Sequence, residues 1–218
     1  MTVIFYSSNR ETDTFANEFR KELLKSCGDL PIVSVTQKPT ALGKNICVGN
    51  VGTSNLNTKR QIWLGLQEAP TENVCMAEAD FLYPEEYFKF VPPEKDAIYY
   101  LDNLFVIWCN RNKYHRKRNS DGALVANRLH LLWLLSRHLK HAPMWFDGRE
   151  EPIYEGKLKS NTVLYSGKRF PFTTEIPAVT FKTGNGVSWR CPHTKASVDE
   201  LPHWGSAKEL NRRFNELV

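Results

Sequence analysis

The fold of this chain is decided by residues 71–84, TENVCMAEADFLYP. An apolar run over residues 74–77 ends in Glu78 and Asp80, with one small residue between them, and aromatic and turn residues follow at once. A short apolar run bounded by turn signals is typical of a buried strand. Open α/β sheets bind ligands beyond the carboxyl ends of their strands, which is where these two acids are expected to lie.

Two carboxylates spaced i, i+2 at the end of a strand can be interpreted in two ways. If the strand breaks there, both side chains can reach one divalent cation, and Mg²⁺ and Mn²⁺ prefer such oxygen ligands, often together with a phosphate. The alternative is a strand that ends in two solvated acids. The spacing alone leaves both interpretations open, so the surrounding elements have to decide.

The chain opens with a predicted strand, helix and strand. Residues 2–6 (TVIFY) and 31–35 (PIVSV) are rich in β-branched residues and are expected to form strands. Between them, Thr12 or Asp13 can cap a helix that runs to about Ser26, because its apolar residues recur with the period of a helix. This order predicts a parallel strand pair with a right-handed crossover.

The alternation continues up to the two acids. Residues 45–49 are short and apolar and are expected to form an edge strand. A helix over residues 58–69, capped by Ser54 or Asn57, then leads to the strand over residues 73–77. Strands that alternate with helices over the first 80 residues predict an α/β fold.

The expected elements are less regular after the acids. Residues 97–100 and 104–108 predict a hairpin around Asp102 and Asn103, and residues 124–141 predict one long amphipathic helix. The other expectations are a helical turn over 83–88, a strand over 179–182, a final helix opened by a capping box at 206–209, and irregular chain over 152–174 and 190–204. No domain linker interrupts the sequence, so we expect a single domain over residues 1–218.

Composition places limits on the class of protein. The 218 residues carry a net charge of +5, which is compatible with a polyanionic partner without requiring one. Five scattered cysteines with no C-x-x-C pair favour a reducing compartment over a disulfide framework or a structural zinc site. We expect neither a signal peptide nor a membrane span, and therefore a cytoplasmic protein.

The order of elements resembles that of GT-A-type glycosyltransferases. The matching stretches are PIVSVTQKP (31–39), KRQ (59–61) with GL (65–66), and AEADFLYP (77–84). The amino-acid sequences of these stretches are similar to those of small family-2-like glycosyltransferases, including enzymes carried by bacteriophages. The resemblance covers about residues 1–108.

This resemblance implies a fold and an activity. The fold would be a GT-A-like, Rossmann-type mixed sheet flanked by helices, followed by an irregular C-terminal acceptor region. The activity would be transfer of a sugar from a nucleotide-sugar donor, expected to be UDP-linked, to an acceptor hydroxyl with Mn²⁺ or Mg²⁺. Residues 1–108 would bind the nucleotide sugar, and residues 109–218 would bind the acceptor.

The resemblance also implies roles for individual residues. Glu78 and Asp80 would hold the metal against the donor diphosphate, and Asp80 is the stronger candidate because Glu78 replaces the usual aspartate and is one methylene longer. The positions that would lie beside the nucleoside are Ser7, Ser8, Asn9, Arg10, Gln37, Lys38 and Gln61.

The chemistry implied by the resemblance needs further groups. A divalent ion stabilises the negative charge of the leaving diphosphate, and an inverting enzyme needs a base near the acceptor hydroxyl. Asp102 is the first candidate for this base, although it can also be only a turn residue. The turn over residues 182–186, with Lys182, could hold phosphate, and His193 or His203 could be a third metal ligand.

A basic cluster could select the acceptor. Its members, which interleave charged and aromatic side chains, are Arg111, Lys113, Tyr114, Arg116, Lys117 and Arg118. Such a pattern suits DNA, so one candidate acceptor is a hydroxymethylated base in phage DNA, flipped out of the stack in the host cytoplasm. A glycan or a lipid-linked acceptor remains open, and the cluster can also be a solvated loop.

Two other classes of protein compete with this interpretation. A non-catalytic nucleic-acid-binding protein would use the same basic cluster and would need no nucleotide sugar. A metal-dependent phosphoesterase or nuclease would use the acids, but it usually needs more acids nearby than Glu68, which is the only one between residues 43 and 71. The sequence does not determine the oligomeric state.

Overall fold

Two β-sheets form the centre of the protein in the computed structural model, which describes residues 1–118, 120–148, 152, 154, 164, 167–185 and 193–215. Within these residues the larger sheet has seven strands and the smaller has five, and one further pair of short strands lies near the C-terminus. Each sheet contributes one side of the candidate site described below.

The seven-stranded sheet contains the predicted opening of the chain. Its strands are β1 (Thr2–Ser7), β2 (Ile32–Thr36), β3 (Lys44–Cys47), β4 (Asn73–Glu78), β6 (Ala97–Leu101), β9 (Leu124–Asn127) and β10 (Lys168–Phe172). Their order is β10-β6-β9-β4-β1-β2-β3, and only β9 runs antiparallel to its neighbours. The predicted parallel pair of β1 and β2 and the edge position of β3 are confirmed.

The five-stranded sheet is built mainly from the second half of the chain. Its strands are β5 (Phe81–Leu82), β7 (Leu104–Trp108), β8 (Tyr114–Lys117), β11 (Ala178–Lys182) and β12 (His193–Val198). Their order is β12-β8-β7-β11-β5, with β7 and β11 parallel and the other pairs antiparallel. The separate two-stranded sheet consists of β13 (Glu200–Leu201) and β14 (Gly205–Ser206).

Five α-helices pack on these sheets within the described ranges. They are α1 (Asp13–Cys27), α2 (Asn55–Glu68), α3 (Glu85–Lys89), α4 (Arg128–Leu139) and α5 (Ala207–Asn215). The side chains of Thr12, Ser54 and Asn127 cap the first, second and fourth of them by accepting backbone N–H groups. None of the helices in the described ranges has the length and apolar character needed to cross a bilayer.

Three apolar cores hold the layers together. One lies between the large sheet and helices α1 and α3, and a second lies between the other face of that sheet and helices α2 and α4. A third core joins the small sheet to α1 and α5 through four phenylalanine rings, Phe15, Phe19, Phe181 and Phe214. Helix α1 therefore contacts both sheets and fixes their relative position.

The predicted hairpin around Asp102 and Asn103 is wrong. Strands β6 and β7 do not pair with each other, because the bend between them carries the chain from the large sheet to the small one. The chain makes the same transfer between β10 and β11. Asn103 links these two crossings, the segments between β6 and β7 and between β10 and β11. Its Nδ2 donates to the Thr174 carbonyl at 2.6 Å, and its Oδ1 accepts the Thr174 N–H at 3.2 Å.

Two other expectations for the second half are wrong in part. The predicted helix over residues 124–141 begins only at Arg128, because residues 124–127 are buried as strand β9 between β4 and β6. Residues 190–204, expected to be loop, contain β12 and β13, and residues 152–174 contain β10. Strands β10 and β12 pair with the distant β6 and β8, whereas β13 pairs with the nearby β14.

We expect Asn103→Ala to lower the free energy of unfolding by about 1–3 kcal/mol, because it leaves polar groups of Thr174 without their partner. Chemical denaturation monitored by circular dichroism would measure the change. Asn17→Ala on the exposed side of α1 is the matched control, with an expected change within about 0.5 kcal/mol. Equal stability of both variants would show that Asn103 does not hold the two crossings.

Candidate active site

Asn9 links the carboxyl ends of β1 and β2. Its backbone has the left-handed φ of 51°, and its N–H donates to Ser7 Oγ at 3.0 Å. Its side-chain Oδ1 accepts the backbone N–H groups of Gln37 at 2.8 Å and Lys38 at 3.0 Å. A single carboxamide therefore keeps the loop after β1 against the loop after β2.

A cavity of about 630 Å³ lies beside this link. Its lining residues are Ser8, Asn9, Arg10, Gln37, Lys38, Asn50, Gly52, Thr53, Asp147 and Gly148. Gln37 Nε2 donates to the Gly52 carbonyl at 2.6 Å, and Asp147 Oδ1 accepts the Thr53 N–H at 2.9 Å. Five of the residues expected beside the nucleoside thus share one cavity, which also takes a wall from the second half of the chain.

Gly52 is required where this wall meets the loop after β3. Its φ is +79°, and a Cβ at this position would lie 2.3 Å from Asp147 Cβ. The absence of a side chain allows the segment after α4 to approach the loop closely. Asn57 fixes the same segment, since it donates to the Phe146 carbonyl at 2.8 Å and accepts the Phe146 N–H at 2.9 Å.

Gln61 does not have the position expected from the resemblance. Its Nε2 donates to the carbonyls of Ser7 and Val35, both at 2.9 Å, and the residue is buried. Both amide protons are used to hold the ends of β1 and β2 to helix α2. Gln61 therefore positions the strands and is not available to donate to a base or ribose.

Glu78, at the end of β4, is held by two tyrosines and packs against a glycine. Tyr6 donates its hydroxyl to Glu78 Oε1 at 2.7 Å, and burial together with the Glu78 charge raises the pKa of Tyr6 well above its usual value. Tyr83 accepts the Glu78 N–H at 3.0 Å and donates to the Gly122 carbonyl at 2.6 Å. A Cβ on Gly122 would lie 2.6 Å from Glu78 Cδ, so the carboxylate packs directly on the glycine backbone.

Asp80 lies where the two sheets meet. Its backbone carbonyl accepts the Phe181 N–H at 2.8 Å, and its carboxylate Oδ2 is 3.9 Å from Lys182 Nζ. Burial, reinforced by the charges of Glu78 and Glu11, raises the pKa of Asp80 to about 6, while Lys182 and Lys117 oppose that rise. Asp80 is thus an anion at neutral pH, and its ionisation lowers the stability of the folded state.

Glu11 is a member of the site that no sequence pattern indicated. Its Oε1 accepts the Thr183 hydroxyl at 2.6 Å, and its Oε2 accepts Asn185 Nδ2 at 3.2 Å. These bonds join the loop after β1 to the turn after β11. Of the proposed phosphate-binding turn, residues 182–185 are described and lie here, whereas Gly186 lies outside the described residues.

The carboxylates can accept a divalent cation as part of a shared set of ligands. Glu78 and Asp80 supply hard oxygen donors, and the pKa of Asp80 is raised mainly by burial, a desolvation that a bound cation would offset. No group of three or more His, Cys, Asp and Glu side chains able to hold a metal occurs in the described part of the chain. The acids therefore fit a cation whose other ligands come from a bound phosphate or from water.

The two histidines expected as a third metal ligand pack against other aromatic side chains. The His193 ring packs 4.8 Å from the Trp108 ring and 5.3 Å from the His115 ring, on β12. His203, the other candidate, packs against Trp204 in the turn between β13 and β14. Since neither histidine forms a metal-binding group with the acids in the described residues, the structure does not support a histidine ligand.

Asp102 is not placed to act as the base. Asp102 lies in the bend before β7, and its carboxylate forms a salt bridge with Arg116 on β8. The site lies at the other end of that strand, where Trp108 pairs with Lys182, about 13 Å along the strand from Leu104. The turn interpretation of Asp102 is the one that its contacts support.

The basic cluster does not form one surface. Because β8 is a strand, its side chains alternate between two faces, and Tyr114 is buried in the third core with its hydroxyl donated to the Gly205 carbonyl. Lys117 is also buried, and its Nζ donates to Ser120 Oγ at 2.9 Å. The other members are Arg111 over the Trp108 ring, Lys113 paired with Asp199, Arg116 paired with Asp102, and the exposed Arg118. The expected stacking of Tyr114 on a base is therefore wrong.

Comparisons with known proteins give a fold and no family. No protein-family model and no curated protein matches the chain. Among solved structures, S. aureus TarS 1–349 in complex with UDP-GlcNAc aligns with a TM-score of 0.51 at 12% identity, covering 83% of this chain and 58% of TarS. A second TarS 1–349 structure aligns with a TM-score of 0.49 at 11% identity, covering 84% of this chain and 61% of TarS.

The first of these alignments confirms the predicted GT-A-like glycosyltransferase fold, a mixed sheet flanked by helices. The chain spans less than two thirds of the length of either TarS structure. At this identity the likeness concerns the fold alone, and it does not bear on the resemblance to bacteriophage enzymes.

The raised pKa of Asp80 predicts a pH-dependent stability. A carboxyl whose pKa is 3.8 when exposed and about 6 in the fold makes the folded state progressively less stable as pH rises from about 4 to 6. An asparagine at this position cannot ionise, so the Asp80→Asn variant avoids this loss of stability. Its free energy of unfolding should therefore rise relative to the wild type across that range, by at most about 3 kcal/mol. Denaturation at pH 4.5 and 7.5 in the presence of EDTA would measure the difference.

Asp96→Asn is the control with the opposite sign. Lys168 lowers the pKa of the exposed Asp96, so its ionised form favours the fold, and this variant should lose stability relative to the wild type at the higher pH. If Asp80→Asn and the wild type responded identically to pH, the interpretation of Asp80 as a partly buried anion would be contradicted.

Proposed function

We propose that this protein is a glycosyltransferase that transfers a sugar from a UDP-linked donor to an acceptor hydroxyl, with Mn²⁺ or Mg²⁺. The observation that carries the proposal is the position of the cavity and the acids. The cavity lies beyond β1 and β2, while Glu78 ends the adjacent β4 and Asp80 follows it, all at the carboxyl edge of a GT-A-like sheet. The TarS structure of similar fold that contains UDP-GlcNAc supports the choice of donor class.

In this proposal the cavity holds the nucleoside. Asn9 keeps the loops after β1 and β2 at a fixed separation, and Gln37 and the Asp147 segment provide two of the walls. Arg10 and Lys38 add positive charge at the same edge, which suits a diphosphate. The cavity volume of about 630 Å³ lies within the range of small-molecule sites.

The diphosphate would lie between the acids and Lys182. Glu78 and Asp80 would hold the cation, and the cation would supply Lewis-acid stabilisation of the leaving diphosphate. Lys182, which is 3.9 Å from Asp80, would neutralise part of the same charge, and buried Lys117 contributes positive potential from β8. Asp80 needs to be ionised for this arrangement, so activity should fall as pH drops below about 6.

The acceptor would be presented to the small sheet, whose strand β11 carries Lys182. A hydroxymethylated DNA base was one candidate, but it depended on a continuous basic surface that includes Tyr114 and Lys117, and both of these are buried. A glycan or a lipid-linked hydroxyl needs no such surface. The proposal therefore specifies an acceptor hydroxyl and assigns no general base to the described residues.

Asp80→Asn should reduce donor turnover by about 100-fold or more, because it removes a ligand charge from the group that stabilises the leaving diphosphate. Release of UDP from UDP-sugars, measured with Mn²⁺ and with EDTA, would test this. Asp29→Asn, in the exposed turn after α1, is the matched control and should keep wild-type turnover. If Asp80→Asn released UDP at the wild-type rate, the assignment of the acids would be refuted.

Asn9→Gly should weaken UDP binding about tenfold, since it loses two hydrogen bonds between the loops while glycine still tolerates the left-handed backbone. Calorimetric titration with UDP and Mn²⁺ would measure the affinity. The control, Asn110→Gly in an exposed turn, should bind as the wild type does. Unchanged affinity of Asn9→Gly would place the nucleotide outside this cavity.

A further inference from the structure

The outward face of α4 and the segment that follows it expose large apolar side chains to solvent. Leu129 is 62% exposed, Trp133 is 54% exposed, and Met144, five residues beyond the helix, is 66% exposed. Leu129 and Trp133 are one helical turn apart, so they lie on one stripe, while Leu131 and Leu135 face the core. Single exposed apolar residues are ordinary, but a stripe of this kind indicates an interaction surface.

The same face is basic. Arg137 and Lys140 continue the exposed stripe toward the end of α4, and the Arg137 guanidinium lies 4.8 Å from the centre of the Trp133 ring. Residues 128–146 contain no aspartate or glutamate. The surface therefore combines apolar bulk with positive charge and has no acid of its own.

Helix α2 extends the surface on one side. Trp63 Nε1 donates to Ser136 Oγ at 2.9 Å, and the Arg60 guanidinium lies 5.8 Å from the centre of the Trp63 ring. The carboxylate of Asp147, three residues after Met144, accepts the Thr53 N–H, and three acids on neighbouring elements are paired with lysines. These pairs are Glu68 with Lys44, Glu72 with Lys95, and Asp96 with Lys168.

We propose that this face, defined by Leu129, Trp133, Arg137, Lys140 and Met144, docks the protein onto the surface of an anionic lipid bilayer. Tryptophan favours the boundary between headgroups and acyl chains, and leucine and methionine gain from entering it. Arginine and lysine on the same face then meet lipid phosphates.

The chemistry of the face selects a lipid surface over other occupants. A nucleic acid would satisfy the two basic residues but would leave Leu129 and Met144 in water. A second copy of the chain would bring two basic faces together, which charge repulsion opposes. The chain passes from Met144 to Asp147 and Gly148 in the cavity wall, so docking would bring the cavity close to the membrane.

Vesicle co-sedimentation tests the proposal on the full chain. Vesicles of phosphatidylcholine alone would be compared with vesicles that contain about 30% phosphatidylglycerol, at low and at about 0.5 M salt. We expect binding to the anionic vesicles that weakens at high salt and little binding to the neutral ones. Arg137→Gln with Lys140→Gln should weaken binding roughly 25-fold, at about fivefold for each charge.

Helix α1 supplies matched controls. Lys21→Gln with Lys25→Gln removes two exposed charges, and Leu24→Ser removes an exposed leucine from a helix that also carries Glu18 and Glu22. These controls should bind as the wild type does, whereas Leu129→Ser with Trp133→Ser should lose most of the binding. Circular dichroism would verify that each variant is folded.

Three results would overturn the proposal. The first is wild-type binding to vesicles by the folded Leu129, Trp133 variant. The second is no binding to anionic vesicles together with a dimer, in sedimentation velocity, that Trp133→Ser dissociates. The third is no vesicle binding together with DNA binding that depends on Arg137 and Lys140. Each result can be distinguished from failure of the proposed transferase activity, which is measured separately by UDP release.

Discussion

The pairing of residues 80–82 with β11 is the constraint on which the site depends. Phe81 and Leu82 leave the large sheet directly after β4 and pair with Thr180 and Val179 in the small one, and the Phe181 N–H donates to the Asp80 carbonyl. Acids that would otherwise end a strand in solvent are thereby placed between two sheets. The same register brings Lys182 to the Asp80 carboxylate.

Burial at this junction explains the electrostatics of the site. Asp80 is desolvated next to Glu78 and within range of Glu11, which raises its pKa, and two lysines compensate only partly. A divalent cation bound to Asp80 would offset this desolvation. The Glu11 bonds to Thr183 and Asn185 also mean that the loop after β1, beside the cavity, is linked to the strand that carries Lys182.

The first 80 residues were predictable because their signals are local. Strand composition, helix period and the Ser54 cap each depend on neighbours in sequence, and their order gives the parallel sheet. The acids followed from the rule that open α/β sheets bind ligands beyond the carboxyl ends of their strands, whereas the cavity residues were implied by the resemblance to GT-A-type glycosyltransferases. The link made by Asn9 and the internal role of Gln61 depend on contacts across 28 and 54 positions and could not be read from the sequence.

The second half was predicted less well for a physical reason. Residues 97–108 have the pattern of a hairpin, but the pattern cannot show that the two strands enter different sheets. Tyr114 and Lys117 belong to a run that looks solvated, yet the pairing of β8 with β7 and β12 buries both of them. Glu11 gave no local signal because its partners lie more than 170 residues away.

The most direct test of the central claim is a crystal structure of the protein soaked with UDP and Mn²⁺, recorded at the manganese absorption edge. The account predicts an anomalous peak within bonding distance of the Asp80 carboxylate, the diphosphate between that ion and Lys182, and uridine in the cavity beside Asn9 and Gln37. Nucleotide density away from this cavity, or a manganese peak with no contact to Glu78 or Asp80, would contradict it.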